Sequence, residues 1–156
     1  MSVKSWMREF YKTEASVAAR GSWLSCAEHS LVKWEGLRRS KLRRHKVKIL
    51  DVFGGPCLVD DFSQGTEKSG SDTMFVNSLT CSLCLKAEHH CERCPLFVVR
   101  GWHNCTEMTD RETRSPWFSF IDRKDPGPMI KWLKRAIEMI KKDPNWWRHR
   151  SRYYTD

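Results

Sequence analysis

Val3, Met7, Phe10 and Val17 fall on one stripe of a helical wheel, with Trp6 and Tyr11 beside it, and predict a first helix over residues 2–19. Gly21 stands where that helix would stop. A second stripe, Leu24, Ala27, Leu31 and Trp34 extended by Leu37, predicts another helix running toward Arg38. Ser25 and Glu28 have capping-box spacing at its start, although Ser22 is an equally good place to begin. The strongest pattern comes last, over residues 128–142. Met129, Ile130, Trp132, Leu133, Ala136, Ile137, Met139 and Ile140 fill one half of the wheel, and Lys131, Lys134, Arg135, Lys141 and Lys142 share the other half with Glu138. Such a helix is expected to lie on a core with its basic side in water, its start marked by Pro126-Gly127-Pro128.

Between these helices the period shortens. KILDVF, residues 48–53, is rich in β-branched and aromatic side chains and predicts a strand; Gly54-Gly55-Pro56 breaks it, and residues 57–62 return as its hairpin partner. Residues 63–72 turn to Ser, Gly, Thr and charge and read as an internal loop. Residues 73–79 and 96–99 read as short strands entering and leaving a block of cysteines, and residues 103–116 as irregular chain. The expected architecture is α+β: one small domain over 1–145, with about three helices and a few short strands around a structural zinc knuckle, followed by a basic aromatic tail over 146–156.

A chain of 156 residues is the size of one ordinary domain, able to bury about 70% of its unfolded surface. Charge narrows the partners. Twenty-eight Lys and Arg against nineteen Asp and Glu give +9, which favours polyanions such as nucleic acid, or acidic protein surfaces. No apolar run is long enough to span a membrane, and the charged stretch at residues 1–16 has no signal core, so a cytoplasmic location with reduced thiols is expected. In that setting the glycosylation triplet Asn104-Cys105-Thr106 has no use.

Five of the seven cysteines sit in C81-SL-C84-LKAEHH-C91-ER-C94-PLFVVRGWHN-C105. Two residues between cysteines let both sulfurs of a pair face one ion from a tight turn, and two pairs complete a tetrathiolate. Cys81, Cys84, Cys91 and Cys94 are therefore expected to hold one zinc ion, with Cys105, His89, His90 and His103 as alternative ligands. An iron–sulfur cluster, which also takes four thiolates, ranks behind zinc because the compressed run of ferredoxins is absent. A thiolate-rich knuckle is poorly suited to touch phosphates and is expected to act as a staple.

Phosphate contacts would then come from two basic clusters. The first spans residues 38–48 and supplies Arg38, Arg39, Lys41, Arg43, Arg44 and Lys46. The second is the tail, where Arg148, Arg150 and Arg152 alternate with Trp146, Trp147, Tyr153 and Tyr154, able to pair with phosphates and stack on bases. Neither the deaminase nor the HExxH grouping of metal hydrolases is present, and a His-based nuclease braced by zinc lacks its supporting Asp or Asn pattern.

A helix carrying His29 and Trp34, then Cys81 and Cys84, Cys91 with Cys94-Pro95-Leu96, Cys105, and Pro116-Trp117 together resemble a family of small bacteriophage proteins. The resemblance covers residues 24–140 outside the basic insertion, with the cysteine block as its sharp motif. It implies phage origin and expression in a bacterial host, and no particular activity. The sequence thus leads to a non-enzymatic, zinc-stabilised module that binds nucleic acid. The rivals are an accessory protein that inhibits or redirects a host protein and, behind it, a zinc-braced nuclease.

Overall fold

The structure, a computed structural model, describes residues 1–64 and 72–153. Most of the expected loop at 63–72, together with Tyr154 and the two residues after it, lies outside the described residues.

Helix α1 (Val3–Phe10) opens with reciprocal bonds between Ser2 and Ser5, each backbone N–H donating to the other hydroxyl. It is shorter than its stripe implies. Tyr11 leaves helical geometry, and its hydroxyl accepts from the Ala15 amide at 2.9 Å, where α2 (Ala15–Ala18) begins. The expected helix over 2–19 is therefore two helices with an elbow between them.

Helix α3 (Trp23–Gly36) starts from the earlier of the two candidate caps, with the Ser25 amide donating to Ser22 Oγ at 3.1 Å. It ends where α1 crosses it. The Trp6 indole donates to the Gly36 carbonyl at 2.7 Å, and a Cβ on Gly36 would stand 2.4 Å from the Phe10 ring, so only glycine admits this crossing. Helix α4 (Arg39–Arg44) turns the first basic cluster into a short helix of its own.

The hairpin is present, β1 (Val47–Val52) pairing antiparallel with β2 (Gly55–Asp60), and β3 (Met74–Phe75) adds a short third strand in the order β1-β2-β3. The turn is tighter than expected. Val52 pairs with Gly55 around Phe53-Gly54, with Gly54 at a φ of 102° that side-chain-bearing residues avoid, while Pro56 lies inside β2. Asp60 Oδ1 accepts from the Val3 amide at 2.7 Å and ties the sheet to the start of α1.

Four more helices follow: α5 (Ser82–Lys86), α6 (Pro95–Val99), α7 (Pro116–Arg123) and α8 (Gly127–Lys142). The chain is a small α+β domain, richer in helices than the three expected. Residues 96–99 are helical and not a strand: Pro95 occupies the first helical position after Cys94, which suits a fixed φ and a missing N–H, and this overrides the β-branched Val98-Val99. Helix α7 uses the same device, Ser115 accepting from the Phe118 amide at 3.2 Å before Pro116.

Helix α8 lies along α3 and α6, as its wheel predicts. Met129, Ile130, Leu133, Ala136, Ile137, Met139 and Ile140 are buried, and Lys131, Lys134, Arg135, Lys141 and Lys142 are exposed. Each large buried side chain contributes about 1.5–3 kcal/mol, so packing outweighs helix propensity here. Trp34 meets Phe120 edge-on at 4.9 Å in the same core. Beyond α8 the chain folds back, and Trp146 is fully buried edge-on to Trp23, ring centres 5.5 Å apart. No described helix is long and apolar enough to cross a membrane.

Candidate metal centre

Three separate pieces of chain carry the cysteine block. Cys81 stands at the N-cap of α5 and Cys84 is its third residue; Cys94 stands at the N-cap of α6; Cys105 lies in the loop before α7. Between the two CxxC pairs the chain reverses through Glu88 and His89, both at positive φ, with the His89 amide donating to the Cys84 carbonyl at 2.8 Å. This left-handed turn makes the six-residue spacer compact. An exposed Glu88–Arg93 ion pair at 2.8 Å spans it and adds little energy.

Small polar residues dock α5 onto α3. Ser82 is buried and donates to the Cys26 carbonyl at 2.9 Å, its oxygen 3.2 Å from Ser30 Oγ and 3.1 Å from His29 Nδ1, while His29 Nε2 lies 2.7 Å from the Thr13 carbonyl. Ser30 Oγ is 3.9 Å from Cys81 Sγ. One turn further along α3, Lys33 is fully buried, and its ammonium donates to the Thr80 carbonyl at 2.7 Å, 5.7 Å from the centre of the Trp34 ring.

Arg100 fixes Cys105 from the other side. Its buried guanidinium donates to the carbonyls of His103, Asn104 and Glu107 and to Glu112 Oε2 at 2.7 Å, and it stacks near Trp132, whose indole donates to Glu112 Oε1 at 2.9 Å. The Cys105 carbonyl in turn accepts from the Trp117 amide at 3.0 Å, joining the loop to α7. Residues expected to be irregular are thus clamped by a single buried cation.

The five cysteines line one cavity of about 450 Å³, walled by Trp34, Leu96, Phe97, Trp117, Met129 and Leu133, with Ser30 and Lys33 supplying polar groups. Exposed His89, His90, Cys91 and Thr106 form its rim. Among the described residues, no three His, Cys, Asp or Glu side chains are placed to hold a metal ion as they stand. Of the alternative ligands, His90 Nδ1 pairs with Glu92 at 3.3 Å, and His103 Nδ1 faces the Arg100 carbonyl at 3.1 Å. Cys26 and Cys57 are buried elsewhere.

Electrostatics follows the geometry. The Cys84 thiol, bonded to Cys81, and the nearby Lys33 charge hold Cys81 well below the ordinary thiol range. Cys84 is pushed up by its bond to Cys81, by burial, and by the charges of Cys81, Cys94 and Cys105. Burial first, then Cys81, raises Cys94, and burial with Cys81 and Cys91 pushes Cys105 up to about 12. Every pair among Cys81, Cys84, Cys94 and Cys105 therefore feels one another, and Cys91 acts on Cys105. Buried thiols with opposed shifts around one cavity suit deprotonation by a bound metal. Sequence reasoning missed Lys33 and Ser30, although Cys26, Ser30, Lys33 and Leu37 share a helical stripe that marks them as inward-facing.

The basic residues spread over the surface. Arg39, Arg43, Arg148, Arg150 and Arg152 are exposed, Lys41 and Lys46 half-buried; Arg38 pairs with Glu35 at 2.5 Å and Arg44 pairs with Glu9. Glu35 also lies 3.6 Å from Lys134, so the basic side of α8 meets Arg38 at the entrance to α4. In the tail, Arg148 stacks on half-exposed Trp147 at 4.6 Å, while buried Trp146 belongs to the core. Known protein families, characterised proteins and solved structures yield no match to this chain.

Proposed function

We propose that the chain is a non-enzymatic nucleic-acid-binding module of phage origin, stabilised by a thiolate-ligated metal centre in the five-cysteine cavity. The observation that carries the binding reading is a shared junction of charge: Lys134 on α8 and Arg38 at the entrance to α4 both reach Glu35, with exposed Lys131 and Arg135 on α8 and exposed Arg39 and Arg43 on α4, on a chain of net charge +9. The metal centre lies behind these residues, walled by the opposite sides of α3 and α8, and holds the two helices together. Phosphate contacts from such a strip release counterions, and about six of them cost about three powers of ten in affinity between about 50 and about 200 mM salt.

Anisotropy of labelled single-stranded and duplex oligonucleotides tests this. Kd is expected to rise on that scale with salt, and charge reversal at Arg39, Arg43, Lys134 and Arg135 is expected to abolish retention. Binding that ignores salt and survives the reversals overturns the reading. A second reading, a host-protein ligand, is favoured by the hairpin, where Leu50, Val52 and Phe53 are exposed together. Capture of a host protein from nuclease-treated lysate, lost with Phe53→Asp, would support that reading instead.

A further inference from the structure

We propose that a cleft between the loop before α7, the end of α7 and the start of α8 seats the terminal phosphate of a nucleic-acid strand; this rests on the binding reading above and names which part of the ligand is held, and where. Arg111, Ser119, Arg123, Lys131 and Trp132 line the cleft, brought together from those three segments. Its charge is unbalanced. Arg111, Arg123 and Lys131 are exposed and, among the described residues, their side chains make no ion pair and no hydrogen bond. The neighbouring charges are already engaged: Arg114 pairs with Asp122, and Glu112 accepts from Arg100 at 2.7 Å and from the Trp132 indole at 2.9 Å. Asp125 is the remaining carboxylate of the cleft, so three cations against one carboxylate leave two positive charges unmatched.

Charge and donors together select a phosphate monoester. Such a group carries a charge of about −1.5 to −2 and three strong acceptor oxygens, more than a carboxylate or an internal phosphodiester offers. Two guanidinium forks and an ammonium suit that anion, since each fork can meet two oxygens at once. Ser119 adds a neutral donor. It is 7% exposed, lines the cleft one helical turn before Arg123, and among the described residues its hydroxyl has no hydrogen-bond partner.

Trp132 holds cations in place around this seat. Its indole is anchored by Glu112, and its ring lies 4.6 Å from the Arg135 guanidinium and 6.0 Å from the Lys131 ammonium. Cations resting on a ring lose less freedom when an anion arrives. The amide of Gly127 at the start of α8 already donates to Asp125 Oδ1 at 2.8 Å, so the seat does not depend on the helix terminus. Glu35 first, and Asp125 with it, hold the Arg38 charge above its ordinary range, which places the cleft beside the basic junction at the entrance to α4.

The test titrates the full chain into internally labelled single strands of one sequence, bearing a 5′-phosphate, a 3′-phosphate or neither. One phosphorylated strand is expected to bind about ten-fold more tightly than the bare one, the worth of charge-assisted bonds. Inorganic phosphate at constant ionic strength is expected to remove that excess and to shift the indole N–H resonance of Trp132, identified by its absence in Trp132→Phe. Arg111→Gln combined with Arg123→Gln is expected to erase the excess while the bare strand still binds; both arginines are exposed and unpaired among the described residues, so the fold is spared. Ser119→Ala is expected to reduce the excess with no change of charge. Equal affinity for all three strands would overturn the seat and leave the binding module standing. An excess that survives the double variant would put the phosphate elsewhere on the chain and overturn it too. A Trp132 resonance that moves with inorganic phosphate, on a chain that binds none of the strands, would overturn both readings in favour of a free phosphate.

Discussion

Lys33 donates its ammonium proton to the Thr80 carbonyl across 2.7 Å, immediately before the first cysteine of the block. The contact puts a fully buried cation on the wall of the thiol cavity, where burial pulls its pKa down and the Cys81, Cys84 and Cys105 thiolates pull it back up. An isolated buried ammonium is costly, whereas one facing bound thiolates is balanced. Lys33→Met is therefore expected to leave the metal-free fold as stable as wild type, or slightly more so, and to weaken metal retention about ten-fold through the lost charge attraction. Competition against a chelator measures this; retention equal to wild type would remove Lys33 from the centre.

Glu112 carries a pH signature. Burial pushes its carboxyl up, but the Thr109 amide, the Trp132 indole and Arg100 together outweigh it, so the carboxyl sits below its ordinary value of 4.5. A depressed carboxyl stabilises the fold above that ordinary value, and the contribution is lost as pH falls through the lower folded value. Glu112→Gln is expected to cost about 1.5–3 kcal/mol at neutral pH, the worth of charge-assisted bonds to Arg100, with the gap to wild type narrowing as the wild-type Glu112 carboxyl neutralises in acid. Urea midpoints at pH 7 and below pH 4 read it directly; a gap that stays constant would show that Arg100 does not depend on this charge.

Gly36→Ala tests the crossing of α1 on α3. The added Cβ would meet the Phe10 ring at 2.4 Å, with Phe10 itself buried, so neither side yields freely. A cost of about 1–3 kcal/mol is expected from such overpacking, seen as a lower thermal midpoint. An unchanged midpoint would mean that α1 slides on α3 without loss.

Trp146→Ala distinguishes a tail from a structural segment. Removing a fully buried Trp costs about 3–5 kcal/mol, whereas truncating the half-exposed Trp147 is expected to change stability by well under 1 kcal/mol. Denaturant unfolding of the two variants side by side gives the answer, and equal stabilities would return Trp146 to the surface.

How far the residues announce this fold depends on the range of the interaction. Helix α8 was legible because its apolar and basic positions separate cleanly within one wheel, and the hairpin because β-branched runs flank Gly54. Both are local patterns. The elbow at Tyr11 was hidden because it depends on a hydroxyl reaching Ala15 and on His29 at the Thr13 carbonyl, a partner sixteen residues away. Residues 96–99 misled through Val98 and Val99, although Pro95 at the first helical position carried the contrary signal. For α7 the Ser115-Pro116 step was the available mark. At the cysteine block the spacing pairs the thiols, but the cavity they help to line is a property of α3, α6 and α8 packing, which no spacing encodes. Arg100 was read as one charge among many, since nothing local distinguishes a cation that will be enclosed by four carbonyl and carboxylate partners.

Met129 and Leu133, which wall the cavity, lie more than twenty residues after Cys105 in the order of synthesis. A ribosome that has released the last thiol has yet to make the helix that encloses it. The thiols of a growing chain would therefore stand open to solvent and oxidants, and insertion of the inorganic part is expected to follow completion of α8. With the proposed metal centre, stalled nascent chains ending before residue 129 would then fail to retain metal under conditions that load the finished protein, and retention by such chains would show that the site closes without its last wall.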